Sequence, residues 1–199
     1  GAAVIDITGG APVVTPTQSM ASQRRLATAT LLADGRVLAT GGSPVWNDIN
    51  NAALNAEIWN PQTGQWSVGA AGAVGRLYHS NALLLPDATV LVAGGGAPGP
   101  LNNLNAEIYY PPYLFTADGQ EAPRPAIVAT PDYLQVGKTV TVDVDSANAI
   151  SRVTLVKTGS TTHGWNMEQR FVELPFRAEG NRLRVQAPTH AACHVARGR

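Results

Sequence analysis

Hydrophobic positions in this chain come in short runs broken by turn residues, and the runs recur in a fixed order. From Arg25 the sequence reads RLATATLLADGRVLATGG, then a polar loop, then LNAEIWNPQTGQW. From Arg76 it reads RLYHSNALLLPDATVLVAGGG, then a loop, then LNAEIYYPPYLF. In each copy an apolar run passes through an Asp-containing turn into a second run that ends in glycines. Two such runs joined by Pro/Asp or Asp/Gly predict a β-hairpin. A third strand follows in each copy and carries Asn-Ala-Glu-Ile. Gly41-Gly42 corresponds to Gly94-Gly95 at an offset of 53, and Glu57 to Glu107 at an offset of 50, because the second loop is shorter.

A period of about 50 residues, with Gly-Gly and a following Glu-aromatic strand, is that of the kelch type of β-propeller blade. Trp59 to Trp66 fits the same unit as a strand, a turn through Pro61 and Gly64, and an outer strand with an aromatic residue. A generic sandwich with similar turns is the alternative, but a sandwich does not demand a repeat of this length. Glu57 and Glu107 recur at one blade position, which points to a structural hydrogen bond rather than to acid–base work. Upstream, Ala3-Val4-Ile5-Asp6-Ile7 alternates like one strand, and Pro12 to Ser19 reads as a connection. A propeller needs about four to eight blades to close. Two blades and a strand therefore predict association, or further blades upstream.

The pattern changes after Phe115. Thr116 to Gln120 is a turn, and Pro123 and Pro125 mark a linker. Lys138 to Asp145 alternates strictly, valines to one face and polar residues to the other. Asp143 and Asp145 fall on the polar, solvated face. Ser151–Lys157, Gln169–Phe176 and Asn181–Gln186 read as further strands. Short strands at this spacing suggest an immunoglobulin-like sandwich. No segment predicts a helix. The expected fold is all-β, with partial propeller blades over 1–118 and an immunoglobulin-like domain over 119–199.

Composition narrows the function. The chain has 199 residues, 44% of them apolar and 14% charged, and a formal net charge of zero. That is a globular composition. Without a basic run, nucleic-acid binding and attachment to anionic membranes have no support. No apolar stretch reaches the roughly 18 residues of a membrane span. The first residues lack the charged and apolar regions of a signal peptide. The chain holds a single cysteine, Cys193, so no internal disulfide framework exists. Gly94 to Gly96 with Gly99 is not a phosphate loop, because no helix pattern and no Gly-Lys-Ser/Thr follow.

Three side chains carry candidate chemistry. Tyr78 and His79 open the second hairpin. His163 lies among small and polar residues in Thr158–Arg170, mid-loop between two strands. A lone loop histidine is usually solvated or hydrogen-bonded. Taken together, two imidazoles and a phenol suit Cu(II), which takes nitrogen and oxygen donors in tetragonal geometry. They suit Zn(II) less, because tyrosine is a rare zinc ligand. Trp165 either lines a substrate mouth or packs the loop. His190, Cys193 and His194 also include metal-capable groups, but nothing in the surrounding sequence holds them in place.

The run Arg76-Leu77-Tyr78-His79-Ser80, then Leu-Leu-Leu-Pro-Asp, the glycine triplet, and Ala106-Glu107-Ile108-Tyr109 to Pro112-Tyr113-Leu114-Phe115 resembles the galactose oxidase / glyoxal oxidase family of copper radical oxidases. So does Thr162-His163 followed by Asn166 and Gln169-Arg170. The resemblance covers roughly residues 20–188. It implies the last blades of a kelch propeller followed by an immunoglobulin-like early set domain, one of whose loops delivers a copper-ligating histidine. It implies His79 and His163 as copper ligands, and Tyr78 as the axial tyrosine and the base for a substrate hydroxyl. Ser80, Thr162 and Asn166 would support the imidazoles. The implied reaction is oxidation of a primary alcohol or aldehyde by O2, giving hydrogen peroxide, in a protein exported to the extracellular space or periplasm. The family's radical site is a second tyrosine bonded to a cysteine, both earlier in the propeller. Those residues are absent here, and Cys193 lies in the wrong domain. The chain alone is therefore expected to be inactive. The closing THAACHVARGR departs from the family pattern and reads as a truncated or altered end. The alternative is a non-catalytic binding module for a glycan or protein partner that keeps the motif through ancestry.

Overall fold

The computed structural model describes residues 1–190, and these are all-β apart from two single 3-10 turns at Pro112–Leu114 and Ala147–Ala149. The described residues divide into two compact units, Gly1–Tyr110 with Gly159–Met167, and Pro111–Thr158 with the described residues from Glu168 onward.

In the first unit, β1 (Ala3–Asp6) pairs with β2 (Val13–Pro16) as an antiparallel ribbon. The second of these strands lies where the sequence predicted a connection. Its β-branched Val-Val-Thr core favours an extended chain, and Pro16 sits at the strand end, opposite Ala3. The two repeats follow. Strands β3 (Thr28–Leu31), β4 (Val37–Thr40), β5 (Asn55–Asn60) and β6 (Gln65–Ala71) form a four-stranded antiparallel meander. Strands β7 (Asn81–Leu84), β8 (Val90–Ala93) and β9 (Ala106–Tyr109) form a three-stranded one. Neither sheet closes on itself. Leu32, Leu38, Ile58, Leu77, Ala82, Leu84 and Val90 are buried and supply the apolar layer that the two hydrophobic runs predict.

The first glycine pair acts where one repeat meets the next. Gly41 and Gly42 take φ of +67° and +82°, and Gly42 N–H donates to Arg76 O at 2.6 Å. A Cβ on Gly41 would stand 2.5 Å from Arg76 O, so no larger residue fits there. Each repeat is also held by an ion pair, buried in the first copy and partly exposed at its carboxylate in the second. Glu57 accepts from Ala21 N–H (2.6 Å), Ser22 N–H (3.1 Å) and the Arg24 guanidinium (2.9 Å), which also donates to Gly41 O and Asn55 O. Glu107 accepts from Ala73 N–H (2.7 Å) and Arg76 (2.8 Å), which donates to Gly94 O and Asn105 O. The repeat partner of Arg76 is thus Arg24, not the Arg25 that the sequence match suggests. Burial pushes the Glu57 carboxyl up. The hydrogen bonds from Arg24, Ala21 and Ser22 and the Arg24 charge outweigh it and hold the group below the usual carboxylate range. Glu107 is lowered by the same balance of burial against its bonds from Ala73 and Arg76.

In the second unit β10 (Ile127–Ala129) and β11 (Thr139–Val144) begin one sheet, and β12 (Val153–Lys157) begins another. A small hairpin, β13 (Thr161–Thr162) and β14 (Trp165–Asn166), interrupts the order and belongs by its contacts to the first unit. Strands β15 (Arg170–Leu174), β16 (Phe176–Glu179) and β17 (Arg182–Gln186) complete the second unit. The sheets run β10-β11-β17-β16 and β12-β15, an immunoglobulin-like arrangement. Val144, Ala147, Leu174, Leu183 and Val185 form its buried core, with Val140, Val142 and Leu155 packed against them. The sequence-derived strand Gln169–Phe176 is broken at Pro175, so Phe176 starts a strand in the other sheet. His190 bonds its neighbour Thr189, while Cys193, His194 and the expected irregular end lie outside the described residues.

Candidate metal centre

Tyr78 and His79 are the middle residues of a tight turn leading into β7, closed by Ser80 N–H donating to Leu77 O at 3.0 Å. His79 takes φ of +65°, a left-handed conformation uncommon for a side chain of its size. Leu26, at the matching place before β3, takes φ of +62°. The left-handed turn is thus a feature of the repeat, and in the second copy it holds an imidazole.

His163 is not mid-loop but at a hairpin tip. Thr162 pairs with Trp165, leaving His163-Gly164 as a two-residue connection with φ of +54° and +80°. Positive φ at both central residues is the type I′ pattern, whose second position favours glycine. The hairpin packs on β3 and β7, and Thr161 Oγ1 donates to Ala82 O at 3.2 Å.

This geometry brings the three candidate ligands together. The Tyr78 and His79 rings stack with centroids 3.8 Å apart. His163 stands edge-on to His79 at 4.7 Å and tilted to Tyr78 at 5.7 Å. Both imidazoles are anchored through Nδ1. His79 Nδ1 lies 2.8 Å from Ala97 O, and a carbonyl can only accept, so Nδ1 carries a proton and the neutral ring presents its lone pair at Nε2. His163 Nδ1 lies 2.7 Å from the Thr162 hydroxyl, which accepts from Nδ1–H when Nε2 is a ligand. Among the described residues no three His, Cys, Asp or Glu side chains converge as a metal-binding group, so a three-donor set here needs the phenol. Two neutral imidazoles and a phenol fit copper better than zinc.

The supporting residues occupy distinct places. Thr162 contacts an imidazole, Ser80 is buried under the turn, and Asn166 Oδ1 accepts from Ser160 N–H at 3.0 Å, bracing the hairpin. Sequence reasoning missed Trp46, which is 61% exposed and whose ring lies 5.7 Å from that of Tyr78. It also missed Asn47 beside it. The hint was a Trp-Asn pair after the first Gly-Gly, in a loop that carries no period. Trp165 is exposed beside His163.

The described residues thus place a hairpin-borne histidine beside a Tyr-His turn on an all-β scaffold, a candidate metal centre by its donor types. Residues 124–196 match the family model of the galactose oxidase-like early set domain. A galactose oxidase of Gibberella zeae is 32% identical over 194 residues, covering 92% of this chain and 28% of that protein. An aldehyde oxidase of Arabidopsis thaliana is 28% identical over 177 residues, covering 79% of this chain and 29% of that protein. A solved fungal alcohol oxidase of the AA5 family, in complex with copper, superposes with a TM-score of 0.87 at 29% identity, over 96% of this chain and 42% of that one. The chain is thus similar to galactose oxidase-like proteins, whose early set domain it carries over residues 124–196. It spans less than half the length of these relatives.

Proposed function

We infer that this chain carries the copper-holding half of an alcohol or aldehyde oxidase site. The observation behind this reading is the convergence of Tyr78, His79 and His163, with the Nδ1 atom of each imidazole hydrogen-bonded so that Nε2 can serve as the metal ligand. Copper bound there supplies Lewis acidity and accepts one electron. The Tyr78 phenolate takes the proton of the substrate hydroxyl, and the stacked His79 ring holds the phenol ring in place. Trp46 offers an apolar wall for the carbon chain beside Tyr78.

Oxidation of a primary alcohol to an aldehyde releases two electrons and two protons, which O2 takes up to become hydrogen peroxide. One copper accepts only one of those electrons, so a second one-electron store is needed. In the resembled family that store is a tyrosine bonded to cysteine, and the only cysteine here is Cys193. By this reading the 199-residue chain alone binds copper but does not turn over, and the complete oxidase works outside the cytoplasm.

The test is an EPR spectrum of the chain with one equivalent of Cu(II), beside His79→Ala and His163→Ala, together with a peroxide assay on several alcohols and aldehydes. A tetragonal signal with nitrogen hyperfine structure, altered in both variants and accompanied by no peroxide, is expected. A spectrum of loosely held copper, unchanged in the variants, would favour a binding module that retains the motif without the metal.

A further inference from the structure

Asn47 joins every part of this site except the hairpin. Its Oδ1 accepts from Tyr78 N–H at 3.2 Å. Its Nδ2 lies 3.4 Å from Gly96 O and 3.3 Å from Pro98 O. The carbonyl between those two, Ala97 O, receives His79 Nδ1–H. The loop is held from the other side by Gly96 N–H donating to Tyr78 O at 2.7 Å. A Cβ on Gly99 would stand 2.6 Å from Asn47 Nδ2, so the loop approaches the amide as closely as glycine permits. Asn47 itself takes φ of +49°, which asparagine tolerates better than most residues. The ring of its neighbour Trp46 meets that of Tyr78.

We propose that Asn47 is a positioning residue for the His79 imidazole. Its amide clamps the 96–98 loop so that Ala97 O stays aimed at Nδ1, which fixes the ring as the Nδ1–H tautomer and leaves Nε2 as the donor. The same amide fixes the backbone of Tyr78, so one side chain sets two of the three ligands. The proposal extends the copper-site reading, but its first consequence exists without metal. Outer partners of a ligating histidine are worth about 10–100-fold in metal affinity.

The experiment uses the chain labelled with 15N at histidine and two variants. Asn47→Gly removes the amide but accepts the positive φ. Asn47→Asp keeps the acceptor for Tyr78 N–H and loses the donors to Gly96 O and Pro98 O. Long-range 15N–1H correlation on metal-free protein at about pH 8, above the ordinary imidazole range, reads each tautomer. The wild type is expected to show His79 as a single Nδ1–H form. Both variants are expected to show a mixture at His79, with His163 unchanged as the internal control and thermal stability nearly intact. Cu(II) affinity of Asn47→Gly should fall about 10–100-fold. If both variants keep the Nδ1–H form, the proposal is overturned, even where stability falls. If the tautomer shifts but the wild type binds no copper, the role of Asn47 stands and the copper reading fails.

Discussion

Replacing Glu57 by Gln keeps the shape of the side chain and removes its charge. The carboxylate is 1% exposed and receives two backbone N–H groups and two guanidinium N–H groups. Gln offers one acceptor oxygen and turns an NH2 group towards the remaining donors. The Arg24 side chain, 0% exposed, is left buried with a charge that only the carbonyls of Gly41 and Asn55 meet. Breaking one half of a buried pair costs about 3–5 kcal/mol. Because those two carbonyls remain, we expect the lower end, about 3 kcal/mol. The matched change Glu107→Gln removes a carboxylate that is 30% exposed and accepts from one backbone N–H and Arg76. Two charge-assisted bonds, partly replaceable by water, are worth about 1–2 kcal/mol there. The assay is urea unfolding followed by tryptophan fluorescence, since Trp59 and Trp66 face each other on β5 and β6, in the same sheet as Glu57. The acid limb gives a second readout. Both carboxyls are held below the ordinary glutamate value in the fold. Their stabilisation is therefore complete above that value and is lost as pH falls through the lowered folded pKa. Glu57→Gln should flatten this limb more than Glu107→Gln. A loss under about 1 kcal/mol for Glu57→Gln, or an equal or larger loss for Glu107→Gln, would refute the reasoning from burial.

Ala88 takes φ of +65° at the turn position that Gly35 fills in the first repeat, so Ala88→Gly should raise stability by about 0.5–1 kcal/mol, read by the same urea titration. Cu(II) bound beside Tyr78 should quench the fluorescence of Trp46, and Trp46→Phe should remove a large share of the copper-dependent quenching, whereas Trp59→Phe should leave that share intact.

The repeat was legible because strand periodicity, glycines at a chain crossing and a buried glutamate each leave a mark at one position. The immunoglobulin-like unit was legible from the alternation in β11, whose three valines meet the core. Between neighbours the sequence was mute. Arg24 and Arg25 are equivalent in text, and only the entry turn into β3 decides which guanidinium points at Glu57. Likewise β2 was hidden because four residues ending in proline carry too little alternation, and the β15–β16 break at Pro175 reads as one run. The hairpin around His163 could have been found, since His-Gly between Thr and Trp is a two-residue turn with the required glycine.

The candidate site was legible only in part, and for a definite reason. Tyr78 and His79 are neighbours in the chain, but their convergence with His163 depends on the hairpin packing on β3 and β7, which no spacing encodes. Asn47 and Ala97 act through backbone atoms and an amide, groups that every chain carries and that leave no compositional trace. The comparison between repeats makes the division plain. Leu26 and His79 occupy the same left-handed turn at the entry to the first strand of each repeat's sheet. The scaffold thus presents one residue of each repeat at that turn whether or not it carries chemistry. What turns presentation into a donor in the second repeat is a loop that returns a carbonyl to the imidazole, held there by an asparagine from the first. A site of this kind depends on both copies at once, so neither repeat read alone would disclose it.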